Sequence, residues 1–282
     1  MKNIVYLHGK FLPLEDAHVS VLDRGFLFGD GVYEVIPTYL GKFFRLTQHL
    51  RRLKHSLDAT KIPMPDLDFE ALLYECLAHN HAPNDAAYLQ ITRGVEHARV
   101  LLPSKNLTPT VFIACVSPLF HSIEESRHGV HAITTPDFRW HNCHIKAITL
   151  LPNVLARLSA VNHHTGEAIM IREGLVTEGT ASNVFIVQNN ILITPPKGAN
   201  ILGGVTRDLV VELADKNNIP CKETTITREE LETADEIWLT SSTRGIAPVV
   251  TLNECPVGAG CAGPLWEKMF AIYDTYTQEV HA

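Results

Sequence analysis

Short runs rich in β-branched and aromatic residues recur along this 282-residue chain, and helical stretches interrupt them without strict strand–helix–strand alternation. In a doubly wound parallel sheet a crossover helix follows each strand, so this rhythm predicts an α+β fold with β-rich cores. Residues 4–7 and 10–13 read as a hairpin closed at His8-Gly9, and 32–39 turns back through Leu40-Gly41 into 43–45. Thr47 is placed to cap a helix whose Leu50, Leu53 and Leu57 share one face; a second helix covers about 68–79 and strands cover 87–92 and 110–116. From 117 to 129 the chain turns polar and charged, the pattern of a domain crossing. The expected division is a small N-terminal domain over 1–117, a linker over 118–129 and a larger domain over 130–282. Within the larger domain, strands are expected at 130–134, 168–171, 183–187, 191–193, 221–225 and 236–240. A helix from Leu151 to about His164 should bury Val154, Leu155, Leu158 and Val161; others start near Thr206 and Pro264.

Charge and cysteine usage narrow the function. A formal charge of -7 and a pI near 6.1 give no field to gather nucleic acid or an anionic membrane. No apolar run approaches the ~18 residues that span a bilayer, and the first nine residues are too short an apolar segment for a signal peptide. Six cysteines without disulfide-dense spacing suit a reducing cytoplasm. Fifteen histidines include no H-E-x-x-H helix, and C-x2-C pairs are absent, so no structural metal is expected.

One lysine stands out. Lys146 interrupts the apolar stretch Ile145–Leu151, where an ammonium must either find a carboxylate or give up its proton. A neutral amine in a dry pocket attacks carbonyls and is the usual seat of a Schiff base with a substrate or pyridoxal phosphate. Three places suit the phosphate of such a cofactor. Leu202-Gly203-Gly204-Val205-Thr206-Arg207 precedes a helix and offers free N–H groups, although an ordinary turn reads the same way. Ser241 and Ser242 lie in a hydroxyl run that ends a strand, and Arg52 can turn inward from its helix while Arg51 faces solvent. Glu178 precedes a run of small residues; a carboxylate there, paired with a pyridine nitrogen, keeps that nitrogen protonated.

Five segments in order resemble the fold-type IV (class IV) pyridoxal-phosphate aminotransferases, within them the D-amino-acid transaminase group. They are residues 23–35 (Asp23-Arg24-Gly25 through Tyr33-Glu34-Val35), His49-Leu50-Arg51-Arg52-Leu53, Ile145-Lys146-Ala147, Thr177-Glu178-Gly179 with Ser182-Asn183, and Gly204-Val205-Thr206-Arg207-Asp208. The resemblance implies a small N-terminal α/β domain, a larger β-rich C-terminal domain with helices, a cofactor between them and a homodimer. It implies that Lys146 forms the Schiff base with pyridoxal 5'-phosphate and shuttles the α-proton, and that Glu178 partners the pyridine nitrogen. Arg52, Val205, Thr206, Ser241 and Ser242 then hold the phosphate, Leu202 packs on the ring and Tyr33 sits beside the substrate. In the D-specific group the loop after Thr-Arg-Gly carries Arg and His two residues apart, which capture the substrate carboxylate. Here the matching positions hold Ala98 and Val100, with Arg99 and His97 displaced, so these two become the substrate-binding candidates.

The expected activity is transamination between a D-amino acid, D-alanine foremost, and a 2-oxo acid, 2-oxoglutarate foremost. Branched-chain L-amino-acid aminotransferase and aminodeoxychorismate lyase activities remain as alternatives on the same fold. A non-catalytic phosphate-ligand binder built on Gly203-Gly204 is the reading outside the enzyme class.

Overall fold

The computed structural model describes residues 4–81, 85–116, 126–163 and 165–281, in two compact units. The first comprises Met1–Pro118 with Ile145–Leu150, the second Leu119–His144 with Leu151–Val280. The short segment around Lys146, expected with the second half, thus folds with the first. Residues 117–125 of the expected crossing lie outside the described residues.

The first unit is an antiparallel sheet of order β2-β1-β6-β5-β3-β4, comprising β1 (Ile4–Leu7), β2 (Lys10–Pro13), β3 (Gly31–Tyr39), β4 (Lys42–Phe43), β5 (Ala86–Thr92) and β6 (Thr110–Val116). A short helix α1 (Arg24–Phe28) precedes β3. Two longer ones, α2 (Leu46–Thr60) and α3 (Phe69–Asn80), cover the sheet, burying Leu53, Leu57, Leu73 and Leu77 against Val32, Ile36, Leu89 and Ile113. Asp68 caps α3 by accepting from Ala71 N at 3.0 Å. Thr47 does not cap α2. Phe44 N–H is bonded to Pro37 O, which holds the chain against β3 and turns it at Arg45; that residue is the N-cap, at φ 51°, and Thr47 falls inside the first turn. The same closure shortens the expected strand at 43–45 to β4.

The second unit carries a nine-stranded mixed sheet among the described residues. Its order is β12-β11-β10-β13-β14-β7-β8-β9, with β15 on β14. The strands are β7 (Val130–Pro136), β8 (Glu167–Arg172), β9 (Leu175–Gly179), β10 (Asn183–Gln188), β11 (Ile191–Thr194), β12 (Cys221–Glu223), β13 (Glu236–Ser241), β14 (Gly245–Leu252) and β15 (Cys255–Pro256). Sequence reading misses β14, because Pro248 cannot donate to a ladder and argues against an interior strand. Pairing with β7 begins only at Val249, so Pro248 sits just outside that ladder. Helices α4 (Leu151–Asn162), α5 (Val205–Lys216), α6 (Arg228–Glu232) and α7 (Pro264–His281) complete the unit.

One packing expectation is overturned. Val154, Leu155, Leu158 and Val161 of α4 are half exposed, at 50%, 58%, 52% and 56%. The helix meets its sheet through small residues, with Ala160 packed against Ile133 and Ala168 and Ala156 also buried, so the larger side chains form an outward stripe. Among the described residues no helix is long and apolar enough to cross a membrane, and no cluster of His, Cys, Asp and Glu could hold a metal ion. All six cysteines are free.

Candidate active site

In the first unit, β3 and α2 fix Lys146 from both sides. Tyr33 N–H donates to Lys146 O at 3.0 Å, Lys146 N–H donates to Ser56 Oγ at 3.1 Å, and Ala147 bridges to Val32. A Cβ at Gly31 would lie 2.8 Å from Ile91 O of β5 and 3.0 Å from Ile148 Cδ1 of the Lys146 segment, so this position is crowded from both sides. The Lys146 ammonium sits 4.2 Å from the centroid of the Tyr33 ring, and among the described residues it pairs with no carboxylate. Tyr33 in turn lies 5.8 Å from Tyr88, whose hydroxyl is pushed up to about 12 by burial and then by Tyr33.

Beside them lies an ion pair that sequence reading leaves out. Arg52 turns inward, as expected, and donates from Nε and Nη2 to the two oxygens of Glu34, both at 2.7 Å. His49 Nδ1 sits 2.8 Å from Glu34 Oε2. Glu34 is fully buried; burial would raise its carboxyl, but Arg52 and then His49 outweigh that and hold it at about 2. Burial chiefly lowers the His49 imidazole, and among the described residues its buried Nε2 has no partner. The signal was present: Glu34 occupies the buried phase of the β3 alternation, between Val32 and Ile36.

Arg99 and His97 lie on the exposed stretch after β5. The Arg99 guanidinium stacks over Phe28 at 5.3 Å, and His97 Nδ1 lies 3.0 Å from Glu96 Oε2. Buried Arg24 shapes this stretch by donating to Val100 O and Leu101 O, each at 2.8 Å. Among the described residues neither Arg99 nor His97 touches Tyr33 or Lys146.

In the second unit, Glu178 is an inward residue of β9. Its Oε2 accepts from Leu202 N at 2.9 Å and from Asn183 Nδ2 at 3.3 Å, and its Oε1 accepts from Arg139 Nη1. Behind Arg139 stands Asp137, bonded to Arg139 Nε at 2.9 Å and Nη2 at 2.8 Å, to Thr177 Oγ1 at 2.8 Å and paired with Arg172 at 3.0 Å. Burial raises the Glu178 carboxyl against the opposing pull of Arg139, while hydrogen bonds and charge from Arg139 hold Asp137 at about 2 despite its own burial. Sequence reading finds Glu178 but neither Arg139 nor Asp137, which lie about 40 residues away along the chain.

The same end of this sheet collects the other expected groups. Asn183, opposite Thr240 in the β10–β13 ladder, donates to Leu202 O at 2.8 Å. Gly204 caps α5, and a Cβ there would collide with Asn183 Oδ1. Val205 and Thr206 open the helix, where first-turn N–H groups lack intrahelical acceptors. Ser241 ends β13 and Ser242 follows in the turn, both half-buried. Among the described residues two buried hydroxyls, Ser182 Oγ and Thr240 Oγ1, have no partner, and such groups are costly unless a ligand or water satisfies them. Arg207, by contrast, is spent on Glu223, Asp208 and Pro195 O.

Within the second unit, a glycine-capped helix start beside orphaned hydroxyls suits a phosphate group, and a buried carboxylate oriented by an arginine suits a ring N–H. The chain belongs to the class IV aminotransferase family, whose model matches residues 31–252. Over 267 residues it is 38% identical to the D-alanine aminotransferase of Bacillus licheniformis, covering 94% of each chain. The branched-chain amino acid aminotransferase of Escherichia coli shares its fold at a TM-score of 0.91 and 24% identity, over 98% of this chain and 94% of that one. A Thermobaculum terrenum branched-chain aminotransferase in its PLP form follows at a TM-score of 0.86 and 24% identity, with the same coverage.

Proposed function

We propose that this aminotransferase moves an amino group between a D-amino acid, D-alanine foremost, and a 2-oxo acid, 2-oxoglutarate foremost, using pyridoxal 5'-phosphate. The observation that carries the cofactor is Lys146, a lysine held by its backbone on β3 and α2, with its amine over the Tyr33 ring and no carboxylate partner. The D-alanine assignment rests on the identity to the Bacillus relative.

When bound, pyridoxal phosphate draws electrons from the substrate Cα–H bond. Lys146 Nζ would hold the cofactor and serve as the base for the α-proton. Glu178, its orientation set by Leu202 N–H and Arg139, would keep the pyridine nitrogen protonated. Leu202 would border the cofactor, and the N–H groups of Val205 and Thr206, the hydroxyls of Ser241 and Ser242 and the Arg52 guanidinium would hold its phosphate. Tyr33 borders the substrate, and Arg99 and His97 supply N–H donors for its carboxylate. The outward stripe of α4, extended by Leu151 at 68% exposure, is an apolar face that a second copy of the chain covers to form a homodimer. A cytoplasmic place of work fits the six free thiols.

Borohydride reduction of the yellow holoenzyme, followed by peptide mass mapping, should put a phosphopyridoxyl group on Lys146, and Lys146→Ala should lose both colour and turnover. An unmodified Lys146, or turnover at the wild-type rate in the variant, would reject the assignment. The exposed apolar run Val100, Leu101 and Leu102 favours an aliphatic L-substrate as the second reading. Parallel assays with D-alanine, L-leucine and aminodeoxychorismate separate the three activities.

A further inference from the structure

Within the second unit, β13 and β14 pair as far as Ser241 and Gly245, leaving Ser242, Thr243 and Arg244 as the turn between them. Arg244 is half-buried, and among the described residues it makes no hydrogen bond or ion pair. The charged groups that act on it are Arg157 and Glu167. The charge of Glu167 is already matched by Arg157: its Oε1 pairs with Arg157 Nη1 at 2.8 Å and accepts from Thr180 N at 3.2 Å and from Thr180 Oγ1. Two guanidinium groups and one carboxylate, already paired with Arg157, leave a single positive charge uncompensated. Burial, and then the like charge of Arg157, hold Arg244 below the ordinary arginine value. A partly desolvated cation beside another cation is costly, and such an arrangement marks a place where an anion completes the balance.

Its location identifies the anion. The Arg244 turn directly follows Ser241 and Ser242, and Thr180 stands two residues beyond Glu178. Asn183, which touches Glu178, pairs with Thr240 at the root of the same hairpin. The uncompensated arginine therefore lies at the sheet end where this unit gathers its cofactor groups. We infer that Arg244, backed by Arg157, binds a carboxylate of the amino or 2-oxo acid substrate. The inference rests on the transaminase reading above. A planar guanidinium fork matches a carboxylate in shape and charge, and one free positive charge matches one substrate carboxylate.

The test uses holoenzyme carrying Arg244→Gln or Arg244→Lys. Steady-state constants are measured for D-alanine, D-glutamate and 2-oxoglutarate, and glutarate, an unreactive dicarboxylate, is titrated by calorimetry. Losing a charge-assisted hydrogen bond should lower kcat/KM about 10- to 100-fold in Arg244→Gln, mostly through KM, with Arg244→Lys in between. Glutarate affinity should fall where dicarboxylate substrates do, with the visible band and pyridoxal phosphate affinity unchanged. Loss on all three substrates assigns the α-carboxylate; loss confined to D-glutamate and 2-oxoglutarate assigns the distal one. Substrate and glutarate constants within about twofold of wild type would overturn the inference, since twofold is well under one hydrogen bond. Weakened cofactor binding with unchanged KM would also overturn it, by giving Arg244 to the phosphate. If the wild-type holoenzyme turns over none of these substrates, the transaminase reading fails, and the glutarate titration still judges Arg244 by itself.

Discussion

Replacing Glu34 with Gln should destabilise the protein while leaving the side chain nearly the same shape. Glu34 is fully buried, and Arg52 and His49 both converge on it. A carboxyl that moves from an ordinary 4.5 to about 2 on folding contributes about 3 kcal/mol at neutral pH. Removing one member of a buried ion pair independently costs about 3–5 kcal/mol, because the other charge is left without a partner. Both routes give a loss that is a large part of a typical total stability of about 5–15 kcal/mol. The pH dependence has a definite sign. The folded-state value of Glu34 is depressed, so its contribution is complete above the unfolded value and is lost as pH falls from 4.5 toward 2. His49, lowered by burial, adds a loss of the same sign once pH drops below its ordinary range. Urea unfolding followed by far-ultraviolet circular dichroism, for wild type and Glu34→Gln across pH 3–8, measures both. The gap between the two proteins should be full above about pH 5 and shrink below about pH 4. A gap under about 1 kcal/mol at neutral pH, or one that does not narrow with acid, would refute the reasoning.

Three further outcomes follow from the same structure. Arg139→Met removes the cation that opposes burial at Glu178, so the Glu178 carboxyl should keep its proton to higher pH; carbonyl-stretch infrared titration reads this directly, and an unmoved band would count against the network. Gly204→Ala drives a methyl into Asn183, which should cost about 1–3 kcal/mol of stability and weaken pyridoxal phosphate binding in equilibrium dialysis; unchanged affinity would free the helix start from that role. Leu155→Asp with Leu158→Asp places two charges on the outward face of α4, so sedimentation should show a monomer in place of the proposed wild-type dimer, and a dimer persisting in the variant would move the interface elsewhere.

Local chemistry was written plainly in the chain. Runs rich in β-branched and aromatic residues marked β5, β6, β10 and β13; Asp68 announced the start of α3 and Gly204 that of α5; and Lys146 stood out as a charge set in an apolar stretch. Each of these signals acts within a few residues, so the order of amino acids carries it. What covers a face, and which charge meets which, depends on residues brought from far along the chain. Lys146 is held by Ser56 across 90 positions and Glu178 by Arg139 across 39. The periodicity of α4 showed that Val154, Leu155, Leu158 and Val161 share a side, but only packing showed that the sheet takes the alanine side instead. β14 stayed hidden because Pro248 reads as a breaker until its ladder with β7 is seen to begin one residue later. Glu34 sits on the buried phase of a strand, and nothing short of folding brings Arg52 and His49 to pair with it. Apolar pattern and local caps set the elements because their energies are local; the ion pairs and the outward face were decided by the tertiary structure because their energies exist only between elements.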